Sequence, residues 1–138
     1  MNRCAQFFLR PALACAFAAL AASASAQTTQ DGQTIRRNFP QSALRGQIVF
    51  GDPPVITMNG VVTRMAIGYR VHGQGNLLVM SAQLDGLTAT VDYTRDVEGH
   101  VYEVWILSPT EIAQLWPQTP AQAAAWTFDP VADTWTKP

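Results

Sequence analysis

The chain has 138 residues, a formal net charge of −1, 48% hydrophobic residues and 14% charged residues. This length is sufficient for one domain with a hydrophobic core, and the apolar fraction excludes a chain that is disordered throughout. The balance of charge argues against a nucleic-acid-binding protein, because no excess of Lys and Arg is available to contact phosphates.

Residues 1–26 are predicted to be an export signal. Arg3 and Arg10 are the charged residues of this segment, an apolar run follows Arg10, and Ala24 and Ala26 form the small-residue pattern that signal peptidase requires. The apolar run is too short for a membrane span. We therefore expect cleavage after Ala26, a mature chain without a membrane span, and localisation in the bacterial periplasm or outside the cell.

Both cysteines, Cys4 and Cys15, lie within the predicted signal. The mature chain therefore has no cysteine, which excludes a disulfide, a thiolate metal site and a cysteine nucleophile. Removal of the signal leaves seven basic and ten acidic residues, a net charge of −3.

The mature chain begins with a polar segment, residues 27–41, which is predicted to be a flexible lead-in. The strand-rich part follows, and its first strand is predicted at Leu44–Phe50. Gly51–Pro54 ends this strand, because the two prolines cannot donate ladder hydrogen bonds.

Asn59-Gly60 predicts a tight hairpin between the strands Val55–Met58 and Val61–Met65, since both central residues of a type I′ turn need positive φ. A further short strand is predicted at Ala66–Val71, with an interruption near Gly68.

The apolar run Leu77–Met80 predicts a short buried strand. Thr88–Thr94 alternates between polar and apolar residues, and together with His100–Leu107 it predicts a second hairpin. Both faces of the second strand become apolar toward Trp105, as expected for a central strand that is covered on both sides.

The last thirty residues change character. Ser108 with Glu111 is typical of a helix N-terminus, and the helix is predicted to extend from Pro109 to Leu115 or Trp116. A second short helix is predicted from Pro120 through Ala125. Alternating residues on either side of Asp129-Pro130 predict a small terminal hairpin.

Together these elements predict a mainly β fold, a small antiparallel barrel of the OB-like or SH3-like type with one or two short C-terminal helices. Residues 42–107 would form the barrel core. Residues 108–138 would form the short helices and the terminal hairpin, which are too short to stand alone and must pack on the core.

Catalytic chemistry has little support in the residues. Ser42, Ser81 and Ser108 do not lie in a G-x-S-x-G motif, so a serine hydrolase is disfavoured. Asp92 and Glu103 are expected to face one another across the second hairpin, which leaves an enzyme of unrecognised type as an alternative. The preferred interpretation is a protein that is not an enzyme and has no cofactor.

Metal binding is a further alternative. His72 and His100 with Met58, Met65 and Met80 supply imidazole and thioether ligands of the kind that periplasmic copper proteins use. Methionines at strand positions more often fill a core, so these residues are candidates only.

Four tryptophans lie in the last third of the chain. Trp105 is expected to be buried in the core. Trp116, Trp126 and Trp135 are candidates for partner binding, because tryptophan is enriched at binding hot spots, and Trp126 and Trp135 are expected to be the more exposed.

The pattern from Phe39-Pro40 through Leu44-Arg45-Gly46, Asn59-Gly60 and Val91–Thr94 to Val104–Leu107 resembles that of a family of uncharacterised small exported bacterial proteins. The resemblance implies a single exported domain and carries no known activity. The expected function is that of an exported, non-enzymatic binding or envelope-accessory module whose partner is an envelope protein or a glycan.

Overall fold

The computed structural model describes residues 36–138. The predicted signal and the first nine residues of the predicted lead-in lie outside the described residues. Residues 36–138 form the strands β1 (Leu44–Phe50), β2 (Val55–Met58), β3 (Val61–His72), β4 (Thr88–Arg95), β5 (Val101–Ile106), β6 (Thr127–Asp129) and β7 (Thr134–Thr136), and the helices α1 (Pro109–Ile112) and α2 (Pro120–Ala125).

Strands β1 to β5 form a closed barrel in the order β1-β2-β3-β5-β4, with β4 pairing back to β1. Neighbouring strands are antiparallel except for β3 and β5, which are parallel. This order matches the OB-like alternative, so the predicted mainly β barrel with two short C-terminal helices is confirmed. Closure also gives each of the five strands a neighbour on both sides.

All three predicted hairpins are confirmed, the terminal one as the antiparallel pair β6 and β7. Asn59 and Gly60 join β2 to β3 with φ angles of 52° and 80°, the positive values that a type I′ turn requires. The second hairpin joins β4 to β5 through residues 96–100.

Strand β3 differs from the prediction, because it is one strand of 12 residues rather than two short ones. Gly68 has a φ of 76° and lies within a register shift between Met65 and Arg70. The glycine therefore forms a bulge that bends β3 without ending it.

The prediction of a buried strand at Leu77–Met80 is wrong. Leu77, Leu78 and Met80 are 75%, 65% and 73% exposed, and the run makes only an isolated bridge, between Leu78 and His72. The run turns back beside the end of β3, where the Val79 N–H donates to the carbonyl of Val71, and the 3-10 helix Ser81–Gln83 follows before a continuous ladder forms.

Two hydrophobic clusters stabilise the fold. The barrel interior contains Ile48, Phe50, Ile56, Met58, Met65, Val71, Val91, Tyr93, Val101 and Val104. The second cluster lies against β5 on the outside of the barrel and contains Phe39, Ala43, Trp105, Leu107, Trp116 and Trp135. Strand β5 is therefore covered on both faces, as its sequence predicted.

The chain on either side of the barrel builds this outer cluster. Arg37 and Phe39, which lie within the predicted lead-in, are buried. The indole N–H of Trp116 donates to the carbonyl of Ala43 at 2.9 Å, so the C-terminal part is tied directly to the segment that precedes β1.

Helix α1 begins as predicted, with a capping box between Ser108 and Glu111, but it ends at Ile112. The guanidinium of Arg45 donates to the carbonyls of Ile112 and Gln114, at the end of the helix and just beyond it. Neither helix of residues 36–138 has the length or the apolar composition that crossing a membrane requires.

Candidate functional site

The outer side of β3 carries an exposed apolar surface. The bulge at Gly68 leaves the neighbouring Ile67 fully exposed, at 101%. Two clefts lie along β3, one lined by Pro53 and Tyr69 and the other lined by Pro54 and Ile67. We call this region the β3 surface and define it by Pro53, Pro54, Ile67, Tyr69, Leu78, Met80 and Val97.

The first cleft is apolar. It has a volume of about 430 Å³ and lies between β3 and the segment 78–82 that follows the His72–Leu78 bridge. The Tyr69 hydroxyl hydrogen-bonds the buried Ser81 hydroxyl and holds this segment against β3. The exposed side chain of Arg70 brings a positive charge to a lining that otherwise consists of Pro53, Tyr69, Val71, Leu78, Val79, Met80, Ser81 and Ala82.

The second cleft is bounded by the hairpin loop 96–100. It has a volume of about 490 Å³, and Ile67 and Arg64 of β3 line its other side. One carboxylate oxygen of Asp96 accepts the backbone N–H groups of Glu98 and His100, at 2.9 and 2.8 Å. These bonds order the loop backbone between Asp96 and His100. Val97 lies at the tip of this loop and is 104% exposed.

The same loop brings together three metal-binding side chains. Nδ1 of His100 lies 3.3 Å from Oε2 of Glu98 and 3.6 Å from Oδ2 of Asp96. One ligand atom from each side chain lies within 4.8 Å of the other two. Two carboxylates and one imidazole suit a divalent cation such as Zn²⁺ better than Cu(I), which prefers thioether and thiolate ligands.

The other predicted metal ligands lie elsewhere. Met58 and Met65 are buried in the barrel core, and Met80 belongs to the β3 surface. His72 stacks on Trp105 with the ring planes 10° apart, and its Nε2 lies 2.8 Å from a carboxylate oxygen of Glu103. Of the predicted residues, the structure therefore places only His100 in a ligand cluster among the described residues.

The expectation that Asp92 and Glu103 face one another is wrong. Asp92 lies opposite Trp105, and Glu103 lies opposite Thr94. Asp92 is fully buried and accepts two hydrogen bonds from its cross-strand neighbour Arg45, at 3.0 and 3.2 Å. Burial raises the pKa of Asp92, and the hydrogen bond from Arg45 opposes this rise.

A second buried ion pair fixes the segment before β1. The guanidinium of Arg37 binds both carboxylate oxygens of Glu111, at 2.8 and 2.6 Å, and donates to the carbonyls of Gly73 and Ile106. Burial acts to raise the pKa of Glu111, but hydrogen bonds from Arg37 and Ser108 outweigh it and lower the pKa below its ordinary value.

The tryptophan candidates are largely enclosed. Trp116 and Trp135 are only 3% and 5% exposed, so the expectation that Trp135 is exposed is wrong. Their rings pack edge-on with centroids 6.1 Å apart, and each also contacts Phe128. Trp126 is half-buried, with the Lys137 ammonium 5.3 Å from its ring centroid.

The sequence reasoning did not single out Ile67 or Val97. Val97 had a detectable signal, because it is an apolar residue between Asp96 and Glu98 in a hairpin loop, where polar residues are usual. Ile67 had none, because its exposure depends on the bulge at Gly68.

No family model matches the chain, and neither a curated protein nor a solved structure matches it significantly. The fold and the β3 surface define the chain as a small β-barrel protein with an exposed apolar face.

Proposed function

We propose that the chain is an exported, non-enzymatic binding module that docks a partner on the β3 surface. The observation that carries this proposal is the exposure of four apolar side chains at two clefts that β3 lines, Ile67 and Val97 at one cleft and Leu78 and Met80 at the other. Contiguous exposed apolar surface is unfavourable in water, and it commonly marks a binding site. The barrel interior is filled by side chains, which favours an exterior site.

The roles of the buried charges support a module without catalytic activity. The carboxylates of Asp92 and Glu111 each bind an arginine, and those arginines in turn bind main-chain carbonyls. These contacts hold together β1, β4, α1 and the segment before β1. Each of the two carboxylates thus has a structural role that accounts for its burial.

Export to the periplasm or beyond rests on the predicted signal at residues 1–26. An envelope protein with an apolar contact face agrees with this destination and with the exposed apolar side chains of the β3 surface. The protein partner is therefore the preferred interpretation.

The proposal is tested by capture of partners from an envelope extract. Ile67→Asp combined with Leu78→Asp places two charges on the β3 surface at exposed positions. Val131→Asp is the matched control, because Val131 is 93% exposed in the β6–β7 turn outside this surface. We expect the double variant to lose the partner that the wild type and the control retain. Identical capture by all three proteins would contradict the proposal.

A divalent metal site is the second candidate function, favoured by the approach of Asp96, Glu98 and His100 within 4.8 Å. Isothermal titration with Zn²⁺ and with Cu²⁺ tests it. We expect binding of one equivalent, lost in His100→Ala and retained in His72→Ala. An unchanged isotherm in His100→Ala, or no binding to the wild type, would eliminate this candidate.

A further inference from the structure

We infer that the partner of the β3 surface is a second copy of the same chain, with the loop 96–100 of each copy seated in the apolar cleft of the other. This inference rests on the proposed function, since it names the occupant of the same surface. It is carried by the complementary polarity and charge of two features that border β3, the loop beside Ile67 and the apolar cleft beside Arg70.

The projecting feature is the tip of the loop 96–100. Val97 is fully exposed there, and the carboxylates of Asp96 and Glu98 stand on either side of it in the sequence. Asp96 orders the loop through its two backbone hydrogen bonds, so little conformational entropy would be lost on docking. The tip therefore presents an apolar side chain flanked by negative charge.

The receiving feature is the apolar cleft of about 430 Å³. Leu78, Val79 and Met80 supply apolar walls, and Arg70 supplies a positive charge. Its lining contains no acidic residue. An apolar tip with a carboxylate beside it matches this cleft in both polarity and charge.

The positions of the two features suit a two-fold axis. The loop borders the cleft that includes Ile67, and the apolar cleft begins two residues further along β3 at Tyr69. A two-fold axis through the exposed Ile67 would bring the loop of each copy onto the cleft of the other, so the contact would form twice.

The size of the surface is compatible with a dimer. Ile67, Leu78, Met80 and Val97 are between 65% and 104% exposed. If each apolar side chain contributes on the order of 100 Å², these four residues, the two prolines and Tyr69 would together bury several hundred Å². This area is a large part of the roughly 800 Å² that each partner buries in a standard interface.

A charge exchange between Arg70 and Glu98 tests the inference by analytical ultracentrifugation. The wild type is expected to be a dimer at tens of micromolar concentration. Arg70→Glu alone and Glu98→Arg alone place like charges together at both contacts, and each variant should be a monomer. An equimolar mixture of the two variants should form a heterodimer, because both of its contacts then join opposite charges.

The control Lys137→Glu changes a basic residue outside the surface and should remain a dimer. A monomeric wild type, singly substituted variants that remain dimers, or a mixture that stays monomeric would each overturn the inference. Open-ended association of the wild type would also overturn it. If the wild type is monomeric but the β3 variants still lose an envelope partner, the proposed function stands and only the identity of the partner is wrong.

Discussion

The buried pair of Arg45 and Asp92 offers a stability prediction that follows from its geometry. Asp92→Asn keeps the shape of the side chain but removes its charge, and only one oxygen remains to accept the two hydrogen bonds from Arg45. The Arg45 guanidinium would then lack a counter-charge, although the Arg45 side chain is only 8% exposed.

Breaking a buried ion pair in this way typically costs about 3–5 kcal/mol. We expect a loss near the lower end, about 3 kcal/mol, because the carbonyls of Ile112 and Gln114 still accept from Arg45. This is a large part of the roughly 5–15 kcal/mol by which domains are stable, so the variant should fold but unfold at a markedly lower denaturant concentration.

Urea denaturation at pH 7, followed by tryptophan fluorescence, measures the loss. The companion variants are Arg45→Met and the double variant Arg45→Met with Asp92→Leu. The double variant should lose less free energy of unfolding than the two single changes together, because it leaves no buried charge unpaired. A loss below about 1 kcal/mol in Asp92→Asn, or losses that simply add, would refute this reasoning.

Three further predictions concern other parts of the fold. Glu111→Gln should destabilise the protein at pH 7 by about 2 kcal/mol. Folding lowers the pKa of Glu111, so the extra stability of the wild type over this variant should be complete above the pKa of Glu111 in the unfolded chain. It should disappear as the pH falls through the pKa in the folded protein, and a stability difference independent of pH would contradict this. Gly68→Ala should lower the free energy of unfolding by about 1–2 kcal/mol. The loss should come from the positive φ of this position alone, because no atom lies within 4 Å of an added Cβ. An unchanged denaturation midpoint would argue against the bulge. Trp116→Phe should lose more than about 1 kcal/mol of unfolding free energy, because the hydrogen bond to Ala43 is lost and the smaller ring leaves a space in the outer cluster; equal thermal stability would contradict this.

Much of the fold could be predicted because its signals are local. Asn59-Gly60 requires one kind of turn, and Ser108 with Glu111 forms the expected capping box. The apolar character of both faces near Trp105 predicted a strand between two cores, which the structure confirms.

The misplaced elements depend on long-range pairing. Leu77–Met80 has the composition of a buried strand, but it makes one isolated bridge to the end of β3 and stays largely exposed. Asp92 and Glu103 were expected to face one another, but the register between β4 and β5 pairs Asp92 with Trp105 and Glu103 with Thr94. Neither effect is visible in the local sequence.

The candidate site was the least predictable part for the same reason. Trp116 and Trp135 suggested a binding patch by residue type, but they fill the outer core instead. The β3 surface combines residues from four separate segments, and a bulge exposes its central residue, Ile67. Residue type alone could not bring these segments together.

Site-specific photocross-linking in living cells shows whether the β3 surface docks a partner. A photoreactive phenylalanine analogue would replace Ile67 in one strain and Val131 in another, since both positions are exposed. We expect a discrete cross-linked product from position 67 and none from position 131. No product from position 67, or the same products from both positions, would contradict it.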